Sequence, residues 1–128
     1  MTLAWEQVII AAADVSALGN WWATALGWTV VADEPDEVEI QPAAGVTPGL
    51  LFVPVPEAKA GKNRLHLDFR PVGDDPDQET EVARFERLGA RRVDVGQGDG
   101  SWVVMTDPEG NEFCVLAAAQ PGSTGASG

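Results

Sequence analysis

Residues 14–28 read DVSALGNWWATALGW, and this stretch decides the fold. Leu18, Trp21, Trp22, Ala25 and Leu26 stand at i, i+3, i+4, i+7 and i+8, which is one face of a helix. Asp14 or Ser16 caps its start and Gly27 ends it, since a glycine tolerates the left-handed conformation that closes a helix. Upstream, Trp5 to Ala13 is β-branched and apolar enough for a strand. Downstream, Trp28 to Ala32, Val38 to Gln41 and Leu50 to Val55 read as strands separated by the acidic turn 33–37 and by Pro48-Gly49. The first half is therefore βαβββ.

The second half repeats the pattern. In residues 63–70, NRLHLDFR, the apolar Leu65, Leu67 and Phe69 alternate with Arg64, His66, Asp68 and Arg70, so one face of a strand is apolar and the other is chemically equipped. Asp75-Pro76 opens a second helix, with Gln78 completing a capping box. Val82, Phe85 and Leu88 form the inward stripe of this helix, and Gly89 ends it. Strands follow at Arg91 to Val95, Ser101 to Thr106 and Glu112 to Ala117, divided by Asp99-Gly100 and by the turn 107–111, DPEGN. Leu26-Gly27 and Leu88-Gly89 end the two helices 62 positions apart, which indicates a duplication. The expectation is an α+β fold of two tandem βαβββ modules. They form a single domain over residues 1–119, with module one at about 3–56 and module two at about 63–118. Residues 120–128 have almost nothing apolar to bury and are expected to be a disordered tail.

Composition narrows the function classes. Twenty acidic residues against eight basic ones give a formal charge of -12, which repels nucleic-acid backbones and anionic lipid. No apolar run approaches the ~18 residues of a membrane span, so a cytoplasmic protein is expected. The single cysteine, Cys114, excludes an internal disulfide, a zinc finger and a CxxC pair. The single histidine, His66, excludes a two-His-one-carboxylate iron centre within one chain. Ser101 lacks a G-x-S-x-G context and there is no glycine-rich phosphate loop. Five Trp and no Tyr supply large flat faces suited to core packing or to stacking on planar ligands.

The two βαβββ modules, the helix running into Ala25-Leu-Gly-Trp28, the run 63–68 (NRLHLD) and residues 107–114 (DPEGNEFC) resemble the vicinal oxygen chelate superfamily. More narrowly they resemble its glyoxalase-like and bleomycin-resistance branch, over about residues 3 to 118. The resemblance implies a cytoplasmic homodimer with a pocket for a small organic molecule, and drug sequestration and antibiotic resistance are among the family's roles. It also implies metal positions on the first and fourth strand of each module. These fall on Gln7 and His66, and near Phe52 and on Cys114, so the carboxylates expected on the fourth strands are missing. Glu112, two residues from Cys114 on the same strand face, is the nearest substitute.

Two readings of the residues follow. In the first, no cofactor is expected and an aromatic or cationic molecule is held by Trp5, Phe52, His66, Asp68, Trp102 and Cys114. In the second, Gln7, His66 and Glu112 or Cys114 hold zinc, nickel or manganese for lyase or isomerase chemistry, with His66 as the catalytic candidate. His66 is either a base oriented by Asp68 or a pocket-lining residue hydrogen-bonded to a neighbour. Cys114 is either a nucleophile or a small buried apolar residue.

Overall fold

The computed structural model describes residues 2–57, 59–93 and 101–118, and it divides into two compact units, Met1–Ala60 and Gly61–Gly128. In the first unit, β1 (Gln7–Ala12), α1 (Val15–Leu26), β2 (Thr29–Glu34), β3 (Glu37–Gln41) and β4 (Gly49–Pro54) follow one another along the chain. Its sheet has the order β1-β4-β3-β2, with β1 parallel to β4 and the other pairs antiparallel. The second unit has β5 (Leu67–Phe69), α2 (Gln78–Arg87), β6 (Arg91–Arg92), β7 (Trp102–Thr106) and β8 (Glu112–Leu116). Its sheet order is β5-β8-β7-β6, again with the first and last strands parallel. This is the α+β fold of two βαβββ modules that the pattern of residues called for.

Each helix packs on one face of its own sheet. Asp14 caps α1 by accepting from the Ala17 backbone N–H at 3.1 Å, and Gly27 closes it at φ 69°. Leu18, Trp22 and Ala25 are buried, as are Val38, Ile40, Leu50 and Phe52 on the strands that α1 crosses. The approach is close at Gly19, where a Cβ would fall 2.6 Å from Val38 Cγ1. In the second unit Val82 and Phe85 of α2 are buried, and Phe113 of β8 has its ring centroid 5.5 Å from that of Phe85 and 6.2 Å from that of Phe69. Leucine, valine and phenylalanine at period two on the strands meet the period-3.6 stripe of each helix.

Three local expectations are corrected. The second helix begins at Gln78 and not at Asp75-Pro76: Asp77 is its cap and accepts from the Thr80 backbone N–H at 2.8 Å and from the Thr80 hydroxyl at 2.6 Å. Those two bonds hold the Asp77 carboxyl below its ordinary range. Gln78 does not close a capping box, because its amide donates instead to the Val115 carbonyl at 3.0 Å. The acidic segment 33–37 is mostly strand, with only Pro35 and Asp36 in the turn. Alternating exposed charges suit a hairpin edge as well as a loop, and a bulge between Val30 and Ala32 absorbs the extra residue. Of the expected Arg91 to Val95 strand, Arg91–Arg92 form β6, while residues 94–95, the Asp99-Gly100 turn and the 120–128 tail lie outside the described residues.

Candidate functional site

The candidate site lies on the face of the second sheet opposite α2. Pairing in register fixes which side chains share that face: Asp68 is opposite Cys114, Cys114 is opposite Val104, and Glu112 is opposite Thr106. Phe69 and Phe113 project toward α2, so their neighbours Asp68, Glu112 and Cys114 project away from it. Residues Lys62, Asn63, His66, Trp102, Val104, Glu112 and Cys114 line a cleft of about 220 Å³.

The phase of β8 is set by the turn before it. Asp107, buried at 4% exposure, accepts from the Glu109 N–H at 2.9 Å and the Asn111 N–H at 3.0 Å, and from the Asn111 side-chain amide at 2.9 Å. One carboxylate thus folds residues 107–111 and delivers Glu112 and Cys114 to the cleft face. Glu112 in turn accepts from the Asn63 backbone N–H at 2.6 Å, which ties the segment before β5 to β8.

His66 and Asp68, spaced two apart, do touch. The His66 Nδ1 lies 3.0 Å from Asp68 Oδ1, with both side chains about half exposed. The same nitrogen lies 3.8 Å from Cys114 Sγ. Cys114 therefore has an imidazole beside it in space although none stands near it in sequence. Its thiol is nonetheless pushed up to about 11, by burial first and then by the negative charge and hydrogen bond of Asp68. At neutral pH it is a thiol and not a thiolate nucleophile.

That shift makes a prediction for metal-free protein. The thiol's ordinary value is 9.0 and its folded value about 11, so the folded state binds this proton more tightly than the unfolded state does. The resulting stability is fully present below pH 9 and is lost as pH rises through 11. Denaturant melts between those pH values should show a loss on the order of 2 kcal/mol from this group. In Cys114→Ala that part of the pH dependence should vanish, and an unchanged slope would refute the assignment.

The remaining candidates belong to the first unit. Trp5 precedes β1 and is 68% exposed, and Gln7 is half-buried at the start of β1. Phe52 is fully buried and sits beside Gly19 of α1, on the helix side of its sheet, so it is core and not cleft. The β4 residue sharing the face of Gln7 and Ile9 is Leu51, one position away, because a one-residue offset on a strand reverses the face. Neither Leu51 nor Phe52 can hold a metal. With an uncharged Gln7 on β1 and a thiol at position 114, the residues at the four strand positions do not fit a carboxylate-rich site for a hard ion. Lys62, Asn63 and Val104 were not singled out as site residues from sequence; Asn63 opens the run 63–70 that contains His66 and Lys62 stands just before it, and that proximity was the available signal.

Comparison with known families identifies the chain's family, and comparison with solved structures matches its fold. The model of the glyoxalase-like domain matches residues 7–116. No functionally curated protein is detectably similar in sequence. Among solved structures, a protein of Agrobacterium tumefaciens determined by NMR is 20% identical, with a TM-score of 0.70 over 93% of this chain and 100% of that one. The fosfomycin resistance protein of Mesorhizobium loti is 13% identical, with a TM-score of 0.67 over 93% of this chain and 94% of its own. The bleomycin-binding protein of Streptomyces verticillus, solved with copper(II)-bleomycin, is 15% identical, with a TM-score of 0.61 over 93% of this chain and 99% of its own. Those identities speak to the fold alone, whereas the family match spans nearly the whole described chain: this protein belongs to the glyoxalase-like domain family, within the vicinal oxygen chelate superfamily.

Proposed function

We propose that this protein is a small-molecule binding protein, acting as a homodimer, whose second unit holds an aromatic or cationic ligand in the cleft beside Trp102. The observation that carries this reading is the composition of the cleft wall. Trp102 and Val104 give an apolar surface, and Glu112 places a carboxylate beside it. A flat cation gains from stacking, from its attraction to the indole face, and from the charge of -12 on the chain. None of these requires a metal. At about 220 Å³ the cleft is smaller than the roughly 300–1,000 Å³ of drug-sized pockets, so it accommodates one ring system or one end of a larger molecule. Sequestration of an antibiotic fits that chemistry, and relatives of the same fold include a bleomycin-binding protein and fosfomycin resistance proteins.

The test is a fluorescence titration of chelator-treated protein with metal-free bleomycin and with a planar aromatic cation such as ethidium, using fosfomycin as a small anionic contrast. Saturable quenching by a cationic aromatic compound and a rise in Tm are expected. Trp102→Ala should weaken binding about tenfold or more, in line with roughly 0.5–2 kcal/mol for a cation over an indole plus the lost stacking area. If no aromatic or cationic compound binds, or if Trp102→Ala binds as the parent does, the reading falls.

A second reading is a metal-dependent lyase or isomerase, favoured by the meeting of His66, Asp68 and Cys114 at one point. It requires metal-dependent turnover of an α-oxoaldehyde thiol adduct that is abolished in His66→Ala.

A further inference from the structure

We propose that the cleft of the second unit is directional and takes a single-ring aromatic amidine or amine, with the N–H-bearing cationic head at His66 and Glu112 and the ring toward Trp102. The inference rests on the binding reading above. It narrows that reading from aromatic or cationic compounds at large to flat cations that donate hydrogen bonds, and it requires no metal.

Strand direction sets the two ends. β5 and β8 run parallel, and β7 runs antiparallel to β8. Glu112 opens β8 and His66 stands one residue before β5, so both lie at one end of the sheet. Trp102 opens β7 and pairs with Leu116, the last residue of β8, so it lies at the other end. The Glu112 and Trp102 rows are about 13 Å apart along the strands, at roughly 3.3 Å per residue. Between them Cys114 and Val104 are register partners that line the cleft, and both are buried. Valine is apolar and the thiol keeps its proton at neutral pH, so this middle strip carries no charge. A ligand therefore finds its polar contacts at the His66 end and ring contact from the strip to Trp102. At about 220 Å³ the cleft holds one ring and its head group.

The polar end selects the head group. His66 Nδ1 lies 3.0 Å from Asp68 Oδ1. A carboxylate only accepts, so a neutral imidazole in this pair keeps its proton on Nδ1 and its lone pair on Nε2. No hydrogen-bond partner falls to Nε2 among the described residues. Asp68 is thus a positioning residue that makes His66 an acceptor. Glu112 is a second acceptor: one of its oxygens takes the Asn63 backbone N–H at 2.6 Å, and a carboxylate offers about four lone-pair sites in all. Two acceptors, one of them charged, match an amidinium or a protonated amine, whose bonds to a carboxylate are charge-assisted. A quaternary ammonium is attracted to the indole equally well but strips water from both acceptors and gives them nothing in return. Lys62 also lines the cleft, yet it is exposed and makes no ion pair among the described residues, so it does not neutralise Glu112. Its stem covers the cleft wall while its ammonium stays in water.

The test is calorimetry on chelator-treated, full-length protein at pH 8.5 with three one-ring probes. Benzamidine is a cation with N–H donors, trimethylanilinium is a cation with none, and benzoate is an anion. Benzamidine is expected to bind at least tenfold more tightly than trimethylanilinium, with benzoate weaker than both. Glu112→Gln should weaken benzamidine about tenfold or more and trimethylanilinium less. His66→Phe should weaken benzamidine about fivefold and leave trimethylanilinium unchanged, with far-UV circular dichroism confirming that each variant is folded. A preference for benzoate, or an unchanged benzamidine affinity in either variant, would overturn the proposal. Equal binding of the two cations that is lost in Trp102→Ala would overturn it while leaving the binding reading intact. That reading falls separately, on the failure of ethidium and bleomycin to bind.

Discussion

Trp22→Ala lowers the unfolding free energy by about 3–5 kcal/mol, the largest loss expected of any single truncation in the first unit. Trp22 is 1% exposed on the buried side of α1, four residues after Leu18, and its ring meets that of Trp21 edge-on at 5.0 Å. Its neighbourhood has little room to relax into the space left behind. Gly19 is already so near Val38 that a single added carbon would collide. A cavity that cannot collapse adds its own cost to the lost transfer energy. Against a typical net stability of about 5–15 kcal/mol, the variant should retain a fold only at low temperature or low denaturant. Urea melts should move to a lower midpoint with an unchanged m-value. The matched control is Trp21→Ala, where the side chain is only half-buried and the loss should be clearly smaller. Equal losses at the two positions would mean that the helix packs through a different face.

The second large effect is expected at Asp107. Replacing its carboxylate with a methyl group strips acceptors from the backbone N–H groups of Glu109 and Asn111 and from the Asn111 amide. An exposed turn would recover these bonds from water, but Asp107 is itself buried, so Asp107→Ala should cost about 2–3 kcal/mol. Its more specific consequence concerns the site. The turn sets which residues of β8 face the cleft, and a slip of one position would send Phe113 outward and Cys114 toward α2. Thiol accessibility to a small alkylating agent and the quenching of Trp102 should therefore change together in Asp107→Ala. Asp107→Asn keeps one acceptor oxygen and should lie between the two. A variant that melts early but keeps both properties of the cleft would show that the turn contributes stability without setting register.

The order of elements was legible in the sequence because each helix announces itself by its stripe and its terminal glycine, and each strand by β-branched alternation. Boundaries were less so. Asp75 and Asp77 are equivalent as caps on paper, and the difference is made by Thr80, which offers both an N–H and a hydroxyl to Asp77. The site was half legible. Alternation in residues 63–70 correctly put His66 and Asp68 on one face, yet side chains two apart need not meet, and only coordinates bring them to 3.0 Å. The neighbour of Cys114 lies 48 residues away, beyond the reach of any local pattern. Phe52 shows the opposite limit. Aligning a strand by type is good to a residue or so, and on a strand that margin is the difference between cleft and core.

In both units the first strand of the unit pairs with its last, and the third strand and then the second, which is the far edge, complete the sheet. This arrangement governs assembly. The hairpins β2–β3 and β7–β8 close over short segments, but β1 and β5 can dock only after about forty residues have looped back, a closure whose entropy is repaid only when the final ladder forms. Each unit is therefore expected to fold cooperatively. Removing either its opening or its closing strand leaves a helix without a complete floor, so neither βαβββ repeat can be trimmed from its ends to a smaller independent core.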